Sequence, residues 1–301
     1  MVRGKLLLLV LMAAAMCTVS MADTKTPQSN LSAEEIVKKN VSARGGLQAW
    51  KAVTALTLGG KMEAGGNQRP TLPVPGPKHG AQMPRPRPTE QVQLPFVMEL
   101  KRPRKERMEI QFNGQTAVQV YDGANGWKLR PFLNRHEVEP YTAEELKAAA
   151  AQAELDGPLV DYAAKGTKIE FSGTEKVEGR NTYKLQLTPK SGEPFHIWID
   201  AETFLEAKME GTPRRLDGKN HPVEVYFRDY RTVNGLVVPY LLETKVLAIK
   251  GVPGVQETSE KIRIEEVTVN PKLADTLFSK PQVDAGVNAK QTAPAGGHSL
   301  P

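Results

Sequence analysis

A guanidinium stands where a strand pattern calls for an apolar side chain. In Phe96-Val97-Met98-Glu99-Leu100-Lys101-Arg102 successive side chains alternate across a sheet, so Phe96, Met98, Leu100 and Arg102 share one face. An unpaired charge buried on such a face costs several kcal/mol, so Arg102 must meet acceptors at the rim of the core. The carbonyl oxygens ending a helix over Glu144 to Leu155 are the expected partners, because they lack intrahelical donors and carry the negative end of the helix dipole. With those partners the chemistry is a latch; the alternative is an ordinary rim salt bridge, for instance with Glu99 or Glu109. Charge-assisted hydrogen bonds contribute about 1.5–3 kcal/mol, enough to bias a lid towards closure and little enough to be broken by a ligand.

The residue types of catalysis occur without the spacings catalysis needs. The five histidines stand at 79, 136, 196, 221 and 298, none of them in an H-E-x-x-H pattern or beside a cysteine. His196 alternates against Phe195 and Ile197, which places it on the polar face of a strand. There is no G-x-S-x-G elbow, S-x-x-K, phosphate-binding loop or dinucleotide fingerprint. Adjacent carboxylates such as Glu265-Glu266 point to opposite sides of a strand, a poor geometry for acid–base work. The expectation is a non-enzymatic protein with no catalytic residues, no metal and no cofactor.

The chain begins Met-Val-Arg-Gly-Lys, continues through an apolar run from Leu6 to Met16 and reaches Ser20-Met21-Ala22 before Asp23. This predicts a signal peptide over 1–22, cleaved after Ala22, and an exported, periplasmic protein. The alternative is a lipid anchor on Cys17, but Ala14-Ala15-Met16 lacks the residues that normally precede an acylated cysteine. Cys17 is the only cysteine, so the mature chain must fold without disulfides. A net charge of +6, spread out and without an aromatic-interleaved basic motif, excludes nucleic acid as an expected partner.

Residues 23–281 read as one domain. Ser32-Ala33-Glu34-Glu35 and Thr142-Ala143-Glu144-Glu145 are capping boxes that open helices, the first closed by Gly45-Gly46 with a short continuation to Trp50. From Phe96 to Phe132 the alternation is cut at Pro103, Asn113-Gly114 and Asp122 to Gly126, predicting a meander of four strands. Seven more strands are expected between Lys168 and Asn270, with inward sets at Tyr183, Leu185 and Leu187, at Phe195, Ile197 and Ile199, and at Val223, Val225 and Phe227. A parity change from Ile262 and Ile264 to Val267 and Val269 predicts a bulge. Residues 64–95 carry eight prolines and are expected to be a mobile insertion in a hairpin, while 282–301 read as a disordered tail. The fold class is therefore mainly β, a strongly curved, unclosed antiparallel barrel whose helices cover its mouth.

The order of several short motifs resembles the LolA/LolB-type lipoprotein-localisation family, in its outer-membrane lipoprotein-sorting branch. The motifs are Leu100-Lys101-Arg102-Pro103, Asp122-Gly123 with Gly126-Trp127, Tyr183 to Lys190, Phe227 to Pro239, and Asn270-Pro271 running to Phe278. The resemblance spans about Ala33 to Pro281. It implies a helical lid over an apolar cavity that holds acyl chains, an inner-membrane donor and an outer-membrane acceptor, and a role for Arg102 in keeping the lid shut. Met98, Leu100, Met108, Ile110, Phe112, Trp127, Leu146 and Leu155 are then the expected cavity lining. A sensor of lipid or mislocalised lipoprotein acting through a membrane partner is the alternative that the same fold allows. Intact mass of the exported protein tests its processing: a chain beginning at Asp23 is expected, whereas an acylated chain beginning at Cys17 would make the protein membrane-anchored.

Overall fold

Three of the hairpins turn on the residue pairs that the sequence supplies for the purpose. Asn113-Gly114, Glu178-Gly179 and Asn234-Gly235 each have positive φ at both positions, as a type I′ turn requires. The computed structural model describes residues 31–65, 91–131, 135–190, 192–216, 218–249 and 257–282. The expected signal peptide, Cys17, most of the proline-rich insertion and almost all of the tail lie outside the described residues.

Two short helices come first, α1 (Ala33–Ala43) and α2 (Leu47–Ala52). The strands β1 (Ala55–Gly65), β2 (Gln91–Lys101), β3 (Lys105–Phe112), β4 (Gln115–Tyr121), β5 (Gly126–Arg130) and β6 (Arg135–Pro140) follow. After α3 (Ala143–Gln152) come β7 (Lys168–Val177), β8 (Arg180–Thr188), β9 (Phe195–Asp200), β10 (Glu206–Leu216), β11 (Lys219–Val233), β12 (Leu236–Val246) and β13 (Thr258–Val269). A 3-10 turn, Asp275–Phe278, closes the described chain.

All thirteen strands form one open, strongly curled antiparallel sheet in the order β6-β5-β4-β3-β2-β1-β13-β12-β11-β10-β9-β8-β7. Each strand pairs with its chain neighbour except across the middle, where β1 pairs with β13. The two edges, β6 and β7, are consecutive in the chain, so α3 and the turns that follow it must travel from one edge to the other. They do so over the concave side, where Ala153, Leu155, Leu159 and Val160 are buried. The lid is thus a consequence of strand order.

Both capping boxes form, Ser32 with Glu35 and Thr142 with Glu145. Ile36 and Val37 of α1 pack on Leu185, Leu187, Ile197 and Ile199, while Trp50 of α2 packs with Leu56, Phe96, Leu100, Leu155 and Val160 in the middle of the sheet. The bulge lies in β13, where Gly59 faces Glu266 and Gly60 faces Ile264, leaving Glu265 without an opposite residue.

Three expectations change. The pairing of β1 with β2 runs out to Gly65 and Gln91, so Ala64 and 91–95 belong to the hairpin strands and not to the insertion. β6 was not expected, because Arg135-His136-Glu137-Val138-Glu139-Pro140 has no apolar alternation; it exists because β5 offers it an edge, with Trp127 opposite Pro140 and Lys128 opposite Glu139. α3 ends at Gln152, short of the expected Leu155, and residues 153–166 are turns, with left-handed backbone at Gly157, Asp161 and Gly166.

The bulge brings two backbones close at Gly60. A Cβ added at Gly60 would lie 2.1 Å from the backbone oxygen of Arg263, whereas one at Gly59 would meet only the Glu266 side chain at 4.0 Å. Gly60→Ala should therefore cost about 1–3 kcal/mol or more by overpacking against backbone, and Gly59→Ala much less. Urea denaturation of the two variants checks this, and equal midpoints would mean that the bulge can move.

Candidate functional site

The concave face carries apolar side chains in rows that cross several strands. Leu94 stands opposite Met62, Met62 opposite Ile262, Ile262 opposite Leu242, and Leu242 opposite Phe227. Nearer the lid, Leu58 faces Met98, Met98 faces Met108, and Phe96 faces Ile110. Phe96, Leu100 and Leu155 are buried, but Met62, Met98, Met108, Ile110, Leu242 and Ile262 stay half-buried. Phe112 follows the parity of Met108 and Ile110 and lines an open recess of about 590 Å³ at the hairpin end, with Leu94 and Pro95. Half-buried methionine is an adaptable surface, since its unbranched thioether side chain refills gaps of changing shape.

Leu155 joins the central cluster, and Leu146 packs with Tyr121, Tyr141 and Ala149 beneath α3. Trp127 is on the other side of the sheet. It stands opposite Val120, whose parity is that of Arg107, and it packs with Val118, Leu129 and Phe278. The C-terminal segment covers it there, held by Lys101 Nζ on the Leu273 carbonyl at 2.6 Å and Arg107 Nη1 on the Leu277 carbonyl at 3.2 Å. The placement of Trp127 in the concave lining is therefore corrected.

Arg102 is turned to the lid side of the sheet but meets different acceptors from those expected. Its Nε donates to the Val53 carbonyl at 2.8 Å, and its Nη2 donates to the Trp50 carbonyl at 3.1 Å and to Asp156 Oδ2 at 2.7 Å. The carbonyls come from the end of α2 because α2 packs directly above β1 and β2, whereas α3 ends at Gln152, four residues before Asp156. Asp156 is the hub. Lys165 Nζ donates to its Oδ1 at 2.6 Å, and Arg44 Nη1 donates to its backbone oxygen at 3.1 Å. Arg44 also meets Glu206 Oε1 at 3.2 Å and lies 4.5 Å above the Trp50 ring. One residue thus gathers three parts of the chain: its carboxylate meets the lid turn and the end of β2, and its backbone oxygen meets the α1–α2 corner. Burial pushes the Asp156 carboxyl up, but the hydrogen bonds and charges of Lys165 and Arg102 outweigh it and hold the group below its ordinary value.

Asp156, Lys165, Arg44 and Glu206 were not singled out in the sequence. Asp156-Gly157-Pro158 has the form of a helix stop, and nothing local distinguishes that aspartate from any turn aspartate.

A second feature lies beneath α3. Glu106, Gln119, Tyr121, Lys128, Arg130 and Tyr141 from the sheet side, with Glu145, Ala149 and Gln152 of α3, line a polar cavity of about 160 Å³. Gly126 makes room for the Tyr141 ring, from which a Cβ there would lie 2.0 Å. Lys128 Nζ donates to both oxygens of Glu145, tying α3 to β5, and Arg130 Nη2 donates to Glu139 Oε2 at 2.7 Å. Burial raises the Glu106 carboxyl from 4.5 to about 7. Among the described residues no group of three or more His, Cys, Asp or Glu side chains converges as a metal site would, and no helix is long and apolar enough to cross a membrane.

An open, curled antiparallel sheet with a lid strapped across its concave side defines a LolA-like fold. Comparison with solved structures gives the same class. A LolA superfamily protein from Nitrosomonas europaea superposes with a TM-score of 0.51 at 13% identity, covering 83% of this chain and 98% of that one. A putative outer-membrane lipoprotein-sorting protein domain from Vibrio parahaemolyticus gives 0.50 at 12% identity, covering 82% and 96%. A DUF1329 family protein from Desulfovibrio piger gives 0.50 at 14% identity, covering 82% and 97%. No protein-family model and no curated protein matches the chain. At these identities the likeness is one of fold.

The two buried carboxylates respond to pH in opposite senses. Between pH 4.5 and about 7 the folded protein keeps a proton on Glu106 that the unfolded chain has lost, so this group's contribution declines as the pH rises through that window. Asp156 contributes above pH 3.8, and its contribution is lost as the pH falls through its lower folded value. Glu106→Gln should leave Tm unchanged near pH 4 and raise stability at pH 8 by about 1–3 kcal/mol. Thermal melts at both values decide it, and a variant no more stable than wild type at pH 8 would show that Glu106 is not held protonated by burial.

Proposed function

We propose that the protein is an exported, periplasmic, non-enzymatic carrier that binds the acyl chains of lipoproteins or other lipids and moves them towards the outer membrane. The observation that carries this reading is the half-buried apolar surface around Met62, Met98, Met108 and Ile110, continuous with the core beneath a lid held by polar contacts. A lipid chain gains about 0.8 kcal/mol per buried methylene, so it leaves a bilayer for water only if another apolar container receives it. The concave face supplies such a surface once the lid lifts, and a latch of charged groups can break without dismantling the core. The folds found by structural comparison include proteins described as LolA superfamily and lipoprotein-sorting, which supports the reading. On this proposal an inner-membrane donor would load the protein and an outer-membrane acceptor would unload it.

In this reading Arg102 is the latch. Its side chain is 38% exposed and Asp156's is 6% exposed, so the pair is worth less than a fully buried one. Arg102→Leu should keep the fold and favour lid opening by about 1–2 kcal/mol, a factor of about 5–30. Hydrogen exchange across 142–165 should show faster exchange in the variant, and a fluorescent fatty acid should bind or leave with altered kinetics. If neither changes, Arg102 is an ordinary rim ion pair.

A further inference from the structure

The sheet has a free edge in its interior as well as at its two ends. β2 pairs with β1 out to Gln91 opposite Gly65, but its pairing with β3 stops at Phe96 opposite Ile110, because β3 turns back at Asn113-Gly114. Among the described residues, 91–95 therefore have a strand on one side only. The backbone shows what faces the other side. The Arg102 N–H donates to the Thr54 carbonyl at 2.9 Å, so even-numbered residues of β2 direct their backbone groups to β1 and odd-numbered ones direct theirs to the β3 side. Pro95 obeys this rule: its missing N–H lies on the β3 side, where it takes nothing from the ladder with β1. Gln91 and Gln93 then present their N–H and C=O groups to the open recess of about 590 Å³ beside them.

The lining of that recess narrows what can pair there. None of the residues around it is charged. The outer edges differ: β6 carries Arg135, Glu137 and Glu139, and β7 carries Lys168, Glu170 and Lys176. Charges on an edge strand discourage pairing with another chain, and the inner edge lacks that protection. On its concave side Leu94 is half-buried, and Val92 is 37% exposed, one of two large hydrophobic residues so exposed among the described residues. The chain's own segment between Gly65 and Gln91 is a poor occupant, because seven prolines stand between positions 70 and 88 and proline cannot donate to a ladder.

We propose that residues 91–95 are a docking edge for an extended peptide of a partner protein, which adds a strand beside β2 in the place that β3 vacates. Gln91 and Gln93 supply the donors and acceptors of the new ladder, and alternate side chains of the peptide lie against Val92 and Leu94. The partner segment therefore has apolar residues at every second position and no charge over the recess. This interaction is additional to lipid carriage and does not depend on it.

The probe is the capped, fluorescein-labelled peptide Ser-Val-Thr-Leu-Thr, titrated into the full chain and followed by anisotropy. Wild type should bind it saturably, with a Kd below about 1 mM. Gln93→Ala should bind within about twofold of wild type, since the backbone and not the side chain makes the contact. Gln93→Pro removes a donor on the open side only and should weaken binding by about tenfold or more. The same peptide N-methylated at its central threonine, whose N–H would meet the Gln93 carbonyl, should lose binding to wild type to a similar extent, a check that needs no variant. Hydrogen exchange at 91–95 should slow in the complex, and thermal melts confirm that both variants are folded. No saturable binding by wild type, or undiminished binding of the methylated peptide, overturns the proposal. So does binding that emerges only when residues 70–88 are deleted, because the chain's own segment would then hold the edge.

Discussion

The Asp156 carboxylate cannot stay buried alone, and the groups that neutralise it come from parts of the chain that would otherwise have no reason to meet. Lys165 lies nine residues further along the lid and Arg102 at the end of β2, while Arg44 on the α1–α2 corner donates to the Asp156 backbone oxygen. A buried charge without partners costs several kcal/mol, so closure of the lid requires the end of β2 to be in place to present Arg102. Further ion pairs, Lys128 with Glu145, Arg104 with Glu154 and Lys51 with Asp161, hold the lid on either side of this cluster. Leu155, Leu159 and Val160 beside it provide the apolar part of the closure.

The second constraint is the parity of the sheet. Concave-facing residues are apolar over most strands, while the convex face carries charges over aromatic rings: Lys208 Nζ lies 3.9 Å above Trp198, and Lys245 Nζ lies 4.4 Å above Tyr226. Such stacking lets long cationic side chains cover aromatic surface while keeping the convex face polar. Near β3 to β5 the rule is broken on both sides. Glu106, Gln119 and Lys128 turn inward, and Trp127, Val118 and Val120 turn outward to be covered by Leu273, Leu277 and Phe278. This reversal produces the polar cavity and explains why the C-terminal segment folds back onto the sheet.

The two carboxylates of the concave side illustrate opposite solutions to burial. Asp156 is over-provided with cations, and its charge is stable. Glu106 is not provided for at all within the described chain, so its charge is the more easily given up. The first arrangement suits a structural clasp, and the second makes the Glu106 charge sensitive to pH.

The amino-acid sequence by itself determined the local structure. Capping boxes at Ser32 and Thr142, glycine turns at Asn113, Glu178 and Asn234, and alternating apolar residues from Phe96 to Val269 are short-range signals, and each element they specify is present. They also determined that Arg102 shares a face with Met98 and Leu100, because period two needs no knowledge of the rest of the fold. Tertiary structure decided everything that depends on which surface lies above a given face. Trp127 shares its parity with Leu129, but whether that apolar side is concave or convex follows from sheet curl and from the C-terminal segment. β6 exists only because β5 presents a free edge. Asp156 acquires its role from residues 54 and 112 positions away, Arg102 and Arg44, contacts that no local pattern encodes.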